Sequence, residues 1–297
     1  MHFAVAVISD GTKTIEELLA PYQENNCGTV PRELLEFVDT EEDERAVYES
    51  GGCTYVFMPD GRRLFPWDEA FRVEGTVGLG SATHKVPECL EQRSIPYRDT
   101  FETFDDYMKW AGDERDPETG RYGFWENPNA KWDWWTIGGR WRAQIRAVDG
   151  ECAPYTTYDL GDFVSRLPEN YPAHRFDRAK LRDMIWEADE GAAAEAELDW
   201  RAWVDGEEID RGARWHRGKG FLLRTFGDKE GYALCSSTMW WGAVVTPDGK
   251  WHELGSLGMA DHDAETGATV EWAKSFKGRF VDPWPTECVL TVVDCHV

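Results

Sequence analysis

The chain of 297 residues predicts an α+β fold with an antiparallel sheet. Three observations carry the prediction. The first is the opening run His2 to Ser9 (HFAVAVIS), which is closed by Asp10-Gly11. A short continuous apolar run bounded by a turn fits a strand buried on both faces. The second is the closing run Glu287 to Val297 (ECVLTVVDCHV), of the same character. The third lies between them: a Thr246-Pro247-Asp248-Gly249-Lys250 hairpin turn, then a helix over Thr269 to Phe280 with Trp272, Phe276 and Phe280 along one stripe. Strand–helix at the start and strand–turn–strand–helix–strand at the finish is a ferredoxin-like βαββαβ order carrying long insertions. That order makes the first and last strands antiparallel neighbours.

The remaining elements follow in turn. Thr14 caps a helix whose apolar positions are Ile15, Leu18 and Leu19, with Glu16 and Glu17 in its first turn. Arg32 to Val38 reads as a second short helical piece. Thr54 to Met58 is a strand entering the Pro59-Asp60-Gly61 turn, and residues 61–100 are mostly irregular. Thr103 to Trp110 is a capped helix ending near Gly112. Arg140 to Val148 alternates as a strand. Helical spacing governs Asp177 to Trp186 and Ala192 to Trp203, so 160–210 is a helical insertion within a single α+β domain spanning 1–297. Gly220 to Phe226 and Tyr232 to Val245 are strand-like.

Composition narrows the function. Fifty-six acidic against 32 basic residues leave a net charge of −24. Duplex binding needs a cationic footprint, so direct nucleic-acid binding is not expected. The charge suits solubility, mimicry of nucleic acid toward a basic partner, or a salty environment. Seven scattered cysteines contain no C-x-x-C pair. With no signal-like start and no membrane-length apolar stretch, a cytoplasmic protein with reduced thiols is expected. No cofactor and no metal is expected, and the oligomeric state is open.

Residues 127–142 (NPNAKWDWWTIGGRWR) are the densest chemistry in the chain. They hold four of the 16 tryptophans, interleaved with Lys131, Asp133, Arg140 and Arg142. Indoles beside cations suit a flat, charged ligand. In a binding reading, Lys131 and Arg140 hold an anionic group and Asp133 takes a ribose or base donor. Trp132, Trp134 or Trp135 stacks the base, at about 1–3 kcal/mol per base. Asn127 and Asn129 complete the candidate set. In a structural reading, Asn127-Pro128-Asn129 is a turn and the indoles are packing. Arg211 to Lys219 (RGARWHRGKG) offers a flexible phosphate clamp through Arg214 and Arg217, or a basic turn balancing the acidic 187–210 stretch.

In the last strand, Asp294 and His296 share a face, roughly 7 Å apart. If the first strand is the neighbour, His2 joins them. A carboxylate beside imidazoles can fix a tautomer and raise basicity. Catalysis, ligand or metal binding, and a plain polar strand end all remain open. His252, Asp261, His262 and Asp263 have metal-ligand donors but no recognisable cage spacing. No G-x-S-x-G elbow is present.

Asn127 to Trp141 and Val292 to Val297 resemble two signatures of a family of uncharacterised proteins from bacteriophages and their bacterial hosts, an NPNAKWDWY-IGGRW-like stretch and a VVDCHI-like ending. Trp135 stands where that family has Tyr, and Val297 where it has Ile. The resemblance implies a phage or mobile-element setting and one shared site for the two stretches. The expected function is therefore binding of a small nucleotide-like or phosphorylated ligand, such as sequestration of a host defence signal. A second expectation is hydrolysis of a phosphodiester or glycosidic bond there, with His296 as base oriented by Asp294. A third is an acidic inhibitor acting on a host protein through Glu187 to Asp210.

Overall fold

The computed structural model describes residues 2–26, 28–73, 83–153, 173–212, 217–255 and 267–297. Its elements begin with β1 (His2–Ser9), α1 (Ile15–Leu19), β2 (Glu36–Asp39), α2 (Glu41–Ser50), β3 (Gly52–Phe57), β4 (Arg63–Leu64), β5 (Arg72–Val73) and β6 (Thr83–His84). There follow β7 (Glu91–Pro96), α3 (Tyr97–Thr100), α4 (Phe104–Ala111), β8 (Glu114–Arg115), β9 (Tyr122–Glu126), β10 (Trp134–Ile137) and β11 (Ile145–Arg146). The remainder are β12 (Arg175–Phe176), β13 (Arg178–Lys180), α5 (Glu190–Trp200), α6 (Lys219–Phe226), α7 (Lys229–Ser237), β14 (Ala243–Val245), β15 (Trp251–Glu253), α8 (Ala268–Phe276) and β16 (Val289–His296). These form two compact units, Met1–Leu34 with Asn127–Val297, and Leu35–Glu126. One domain is the sequence reading; the structure has a larger unit interrupted by a smaller one. No helix among the described residues is long and apolar enough to cross a membrane.

The larger unit is built on a sheet of order β10-β16-β1-β14-β15, with β13 also on β16. β1 and β16 pair antiparallel along their whole length, from His2 opposite His296 to Ser9 opposite Val289. Both are apolar on both faces because both faces are covered. Phe3, Val5, Val7, Val293 and Cys295 pack with Leu18 and Leu19 of α1 and with Trp132. Ala6, Ile8, Leu290 and Val292 pack with Trp272, Phe276 and Phe280 of α8 and the turn after it. The α1 start carries the expected capping box: Thr14 accepts from the Glu17 amide while Glu17 accepts from the Thr14 amide.

The strand order departs from the ferredoxin-like one. β14 lies directly beside β1 and parallel to it, and β15 takes the outer edge. Ala243, Val244 and Val245 are wholly buried, so they belong inside the sheet, whereas the half-exposed Trp251-His252-Glu253 belongs at an edge. Other expectations are corrected too. Lys219–Phe226 and Lys229–Ser237 are helices, the second capped by Asp228, which accepts from the Gly231 amide. Asp177 to Trp186 is short strand and turn rather than helix. Arg140 to Val148 yields only a turn and the two-residue β11. Within 160–210 the helix is Glu190–Trp200 with a π-turn to Asp205; its first part, through residue 172, lies outside the described residues. Arg32 to Val38 is a 3-10 turn followed by β2.

The smaller unit has one three-stranded sheet of order β2-β9-β8 and another of order β4-β3-β7. The 61–100 stretch thus contains more strand than its composition suggests. Tyr107, Met108 and Tyr122 form its core under Tyr48, Tyr97, Phe101 and Phe104. Helix α4 starts and stops where expected, on the Thr103 cap and on Gly112 at φ 95°.

Candidate functional site

The register of three strands assembles the site. On β16, Trp134 of β10 and His2 of β1 both lie opposite His296, and Thr136 and Ala4 both lie opposite Asp294. Alternation puts His2, Asp294, His296 and Trp134 on one face, beyond the end of the α8-side core. The expectation that the tryptophan motif and the last strand meet is therefore met.

Two carboxylate–imidazole pairs stand there. His2 Nδ1 lies 3.0 Å from Asp294 Oδ1, and His296 Nδ1 lies 2.8 Å from Asp133 Oδ1. The two rings are edge to face with centroids 4.8 Å apart, and the Trp134 ring lies 5.8 Å from His2. The Asp133 amide also donates to the His296 carbonyl, which fixes the carboxylate beside the ring. The expected pairing of His296 with Asp294 is thus corrected: each imidazole has its own carboxylate, and Asp294 serves His2. Same-strand neighbours two apart point alongside one another, whereas the hydrogen bonds run across strands. An imidazole whose Nδ1–H is donated to a carboxylate presents Nε2 as its proton acceptor. The Asp294 side chain is 2% exposed and that of His296 39%, so the pairs are anchored inside and open outward.

The Gly-Gly-Arg turn exists to hold Asp294. Asp294 Oδ2 accepts the Arg140 amide at 2.8 Å. A side chain at Gly139 would place Cβ 2.5 Å from both Asp294 Cβ and Oδ2, and Gly139 has φ 49°. Gly138, at φ 74°, is pressed in the same way against Asp177. Asp177 is fully buried and was missed by sequence reasoning. Its Oδ1 accepts the Ala143 amide and its Oδ2 the Ala153 amide, at 2.8 and 2.9 Å, with the buried Arg142 guanidinium at 3.8 Å. Ala143 is itself held at φ 57°. The signal was present: two consecutive glycines mark two close approaches, hence two partners.

The other candidates scatter. Trp132 is buried in the α1-side core, its indole N–H donated to the Leu19 carbonyl, and Trp135 packs on that face as well. Neither offers a stacking surface beside the histidines. Lys131 pairs at 2.7 Å with Glu253, whose backbone partner Ala243 belongs to the α1-side core. Asn127 is buried and clips the turn to the preceding segment, donating to the Pro21 and Gln23 carbonyls and accepting from the Asn129 amide. Arg140 is exposed next to Asp294. Arg214 lies outside the described residues, and the Arg217 guanidinium stacks over Phe221. The described part of the basic stretch answers the acidic helix: Arg211 pairs with Asp199 and Glu195, and Lys219 donates to the Val204 carbonyl.

Cys295 faces away from the histidines into the core, and burial with the neighbouring Asp294 charge pushes its thiol far above the ordinary range. It is no nucleophile. His252 packs against Phe280, and burial lowers its pKa; Asp261, His262 and Asp263 lie outside the described residues. Among the described residues no group of three or more His, Cys, Asp or Glu side chains could hold a metal. Comparison with family models, with curated proteins and with solved structures gives no match.

Proposed function

We propose that the paired ends of β1, β16 and β10 bind a small phosphorylated or nucleotide-like ligand. One observation carries this reading: two imidazoles 4.8 Å apart, each held at Nδ1 by a separate carboxylate. Protonated, each ring turns an Nε2–H donor outward while its own carboxylate balances its charge, so an anion is held by hydrogen bonds on a chain whose overall charge opposes anions. Trp134 supplies an aromatic ring beside His2, and the Arg140 amide holds Asp294 in place. The resemblance to phage proteins makes sequestration of a host nucleotide signal the natural setting.

The same observation favours a second reading, cleavage of a phosphodiester. One Nε2 would take the proton of the attacking hydroxyl while the other imidazolium protonates the leaving alkoxide, leaving the two rings with exchanged protonation. A glycosidic reading gains less, because both carboxylates are occupied by imidazoles instead of flanking a bond.

The test is titration of the purified chain with linear and cyclic oligonucleotides, followed by chromatography of the recovered ligand. Intact recovery supports binding, and His296→Gln and His2→Gln should each weaken it about tenfold. Cleaved products with a loss of about 10²–10⁴ in rate for either variant support the hydrolytic reading. Binding indifferent to both substitutions contradicts both.

A further inference from the structure

The larger unit carries a second concavity that the histidine site does not use. A cavity of about 350 Å³ lies between the segment after the Gly-Gly-Arg turn, the start of α5 and the end of α7. That volume is within the range of small-molecule sites. Among the described residues lining it, Arg146 and Arg175 are the bases and Asp189 is the acid. The Arg146 side chain is 12% exposed and that of Arg175 32%.

One carboxylate does not satisfy this pair. Asp189 Oδ1 accepts the Ala192 amide as the cap of α5. Its Oδ2 stands 3.8 Å from Arg146 and 3.4 Å from Arg175, both long for a charge-assisted hydrogen bond. Arg146 is further anchored by donating to the Glu187 and Ser237 carbonyls. Arg175 has Asp189 alone as its ion-pair partner among the described residues. Burial and the like charge of Arg146 pull the Arg175 pKa down, against the opposing pull of Asp189. Cys235, also on the wall, is a neutral thiol with its pKa pushed up to about 12, so it supplies no negative charge. Met239, Trp240 and Trp241 are the large apolar side chains of the lining, among the polar Gln144, Ser236 and Thr238, and Met239 Sδ accepts the Arg146 amide.

We propose that this cavity is a binding site for a small aromatic or apolar monocarboxylate. Its carboxylate is taken by Arg175 in planar, paired hydrogen bonds, and its apolar body lies against Met239 and Trp240. Two guanidiniums against one carboxylate leave room for one further negative charge. A planar fork of N–H donors matches a carboxylate better than it matches an uncharged group.

Benzoate is the probe, titrated into the full chain labelled with ¹³C-methyl methionine. The Met239 methyl signal, assigned with Met239→Leu, should shift with a Kd of about 1 mM or tighter. Inorganic phosphate, with charge and no ring, and benzyl alcohol, with ring and no charge, should each bind about tenfold more weakly or worse. Arg175→Gln should cost about tenfold and Arg175→Lys less, while His296→Gln should leave benzoate binding unchanged. The proposal is overturned if Met239 does not respond to benzoate, if phosphate matches benzoate, or if Arg175→Gln changes nothing. Loss of benzoate binding in His296→Gln also overturns it, because the probe would then be reading the histidine site. Since the methyl shift reports on the wild-type cavity, a poorly folding variant does not shield the proposal.

Discussion

Asp177→Ala is expected to destabilise the protein by about 3–5 kcal/mol, the cost of removing one partner from a buried ion pair. The carboxylate is wholly buried and holds two backbone amides, those of Ala143 and Ala153, beside a guanidinium that is itself 5% exposed. Alanine leaves these donors without their acceptor in a place that water does not reach. It also releases Ala143 from the left-handed conformation that Asp177 enforces. Thermal unfolding followed by circular dichroism should show a fall in Tm of roughly 10 °C. Arg142→Ala should be costly alone, and the double variant should lose less than the sum, because the second deletion removes a charge already stranded by the first. A loss under about 1 kcal/mol for Asp177→Ala would mean that the turn is held by something else.

Gly139→Ala is the second large effect, and it links stability to the site. Alanine at φ 49° costs about 1–2 kcal/mol from its backbone conformation alone. The added methyl would also stand 2.5 Å from the Asp294 carboxylate, and relieving such a contact in a packed interior costs about 1–3 kcal/mol more. Gly206 is the control. It has φ 78° with nothing within 4 Å of a built Cβ, so Gly206→Ala should show only the conformational part. The difference between the two variants measures how tightly the turn is closed on Asp294. Gly139→Ala should also disturb the His2 imidazole resonances, since Asp294 cannot keep both the Arg140 amide and the His2 ring when displaced. Equal losses for both glycines would remove Asp294 from this role.

Much of this arrangement is written in the sequence in a form that simple rules decode. Two apolar runs predict β1 and β16, and the period of two places Asp294 and His296 on one face. Strand adjacency then brings His2 beside them. Parity does not decide which imidazole takes which carboxylate, since the bonds cross between strands and Asp133 precedes its strand. The four indoles of the motif misled for a related reason. Alternation in β10 sends Trp135 into the core and leaves Trp134 beside His2, while Trp132, on an isolated bridge to Gln23, and Trp141, at the end of a 3-10 turn, pack against the two faces of the sheet. Density of tryptophan marks burial here. Helices α6 and α7 were legible only through the Asp228 cap, because runs as short as Phe221-Leu222-Leu223 do not separate helix from strand by periodicity. Asp177 had no local signal at all beyond the first glycine of a distant turn, Gly138.

The arrangement of the two imidazoles is open to direct observation without any ligand. Long-range ¹H–¹⁵N correlation spectra of the ¹⁵N-labelled protein, recorded where both rings are neutral, report which nitrogen carries the proton. If Asp294 and Asp133 each accept from Nδ1, both His2 and His296 appear as the Nδ1–H tautomer, with Nε2 unprotonated. Either ring found as the Nε2–H tautomer would contradict the paired carboxylate–imidazole site.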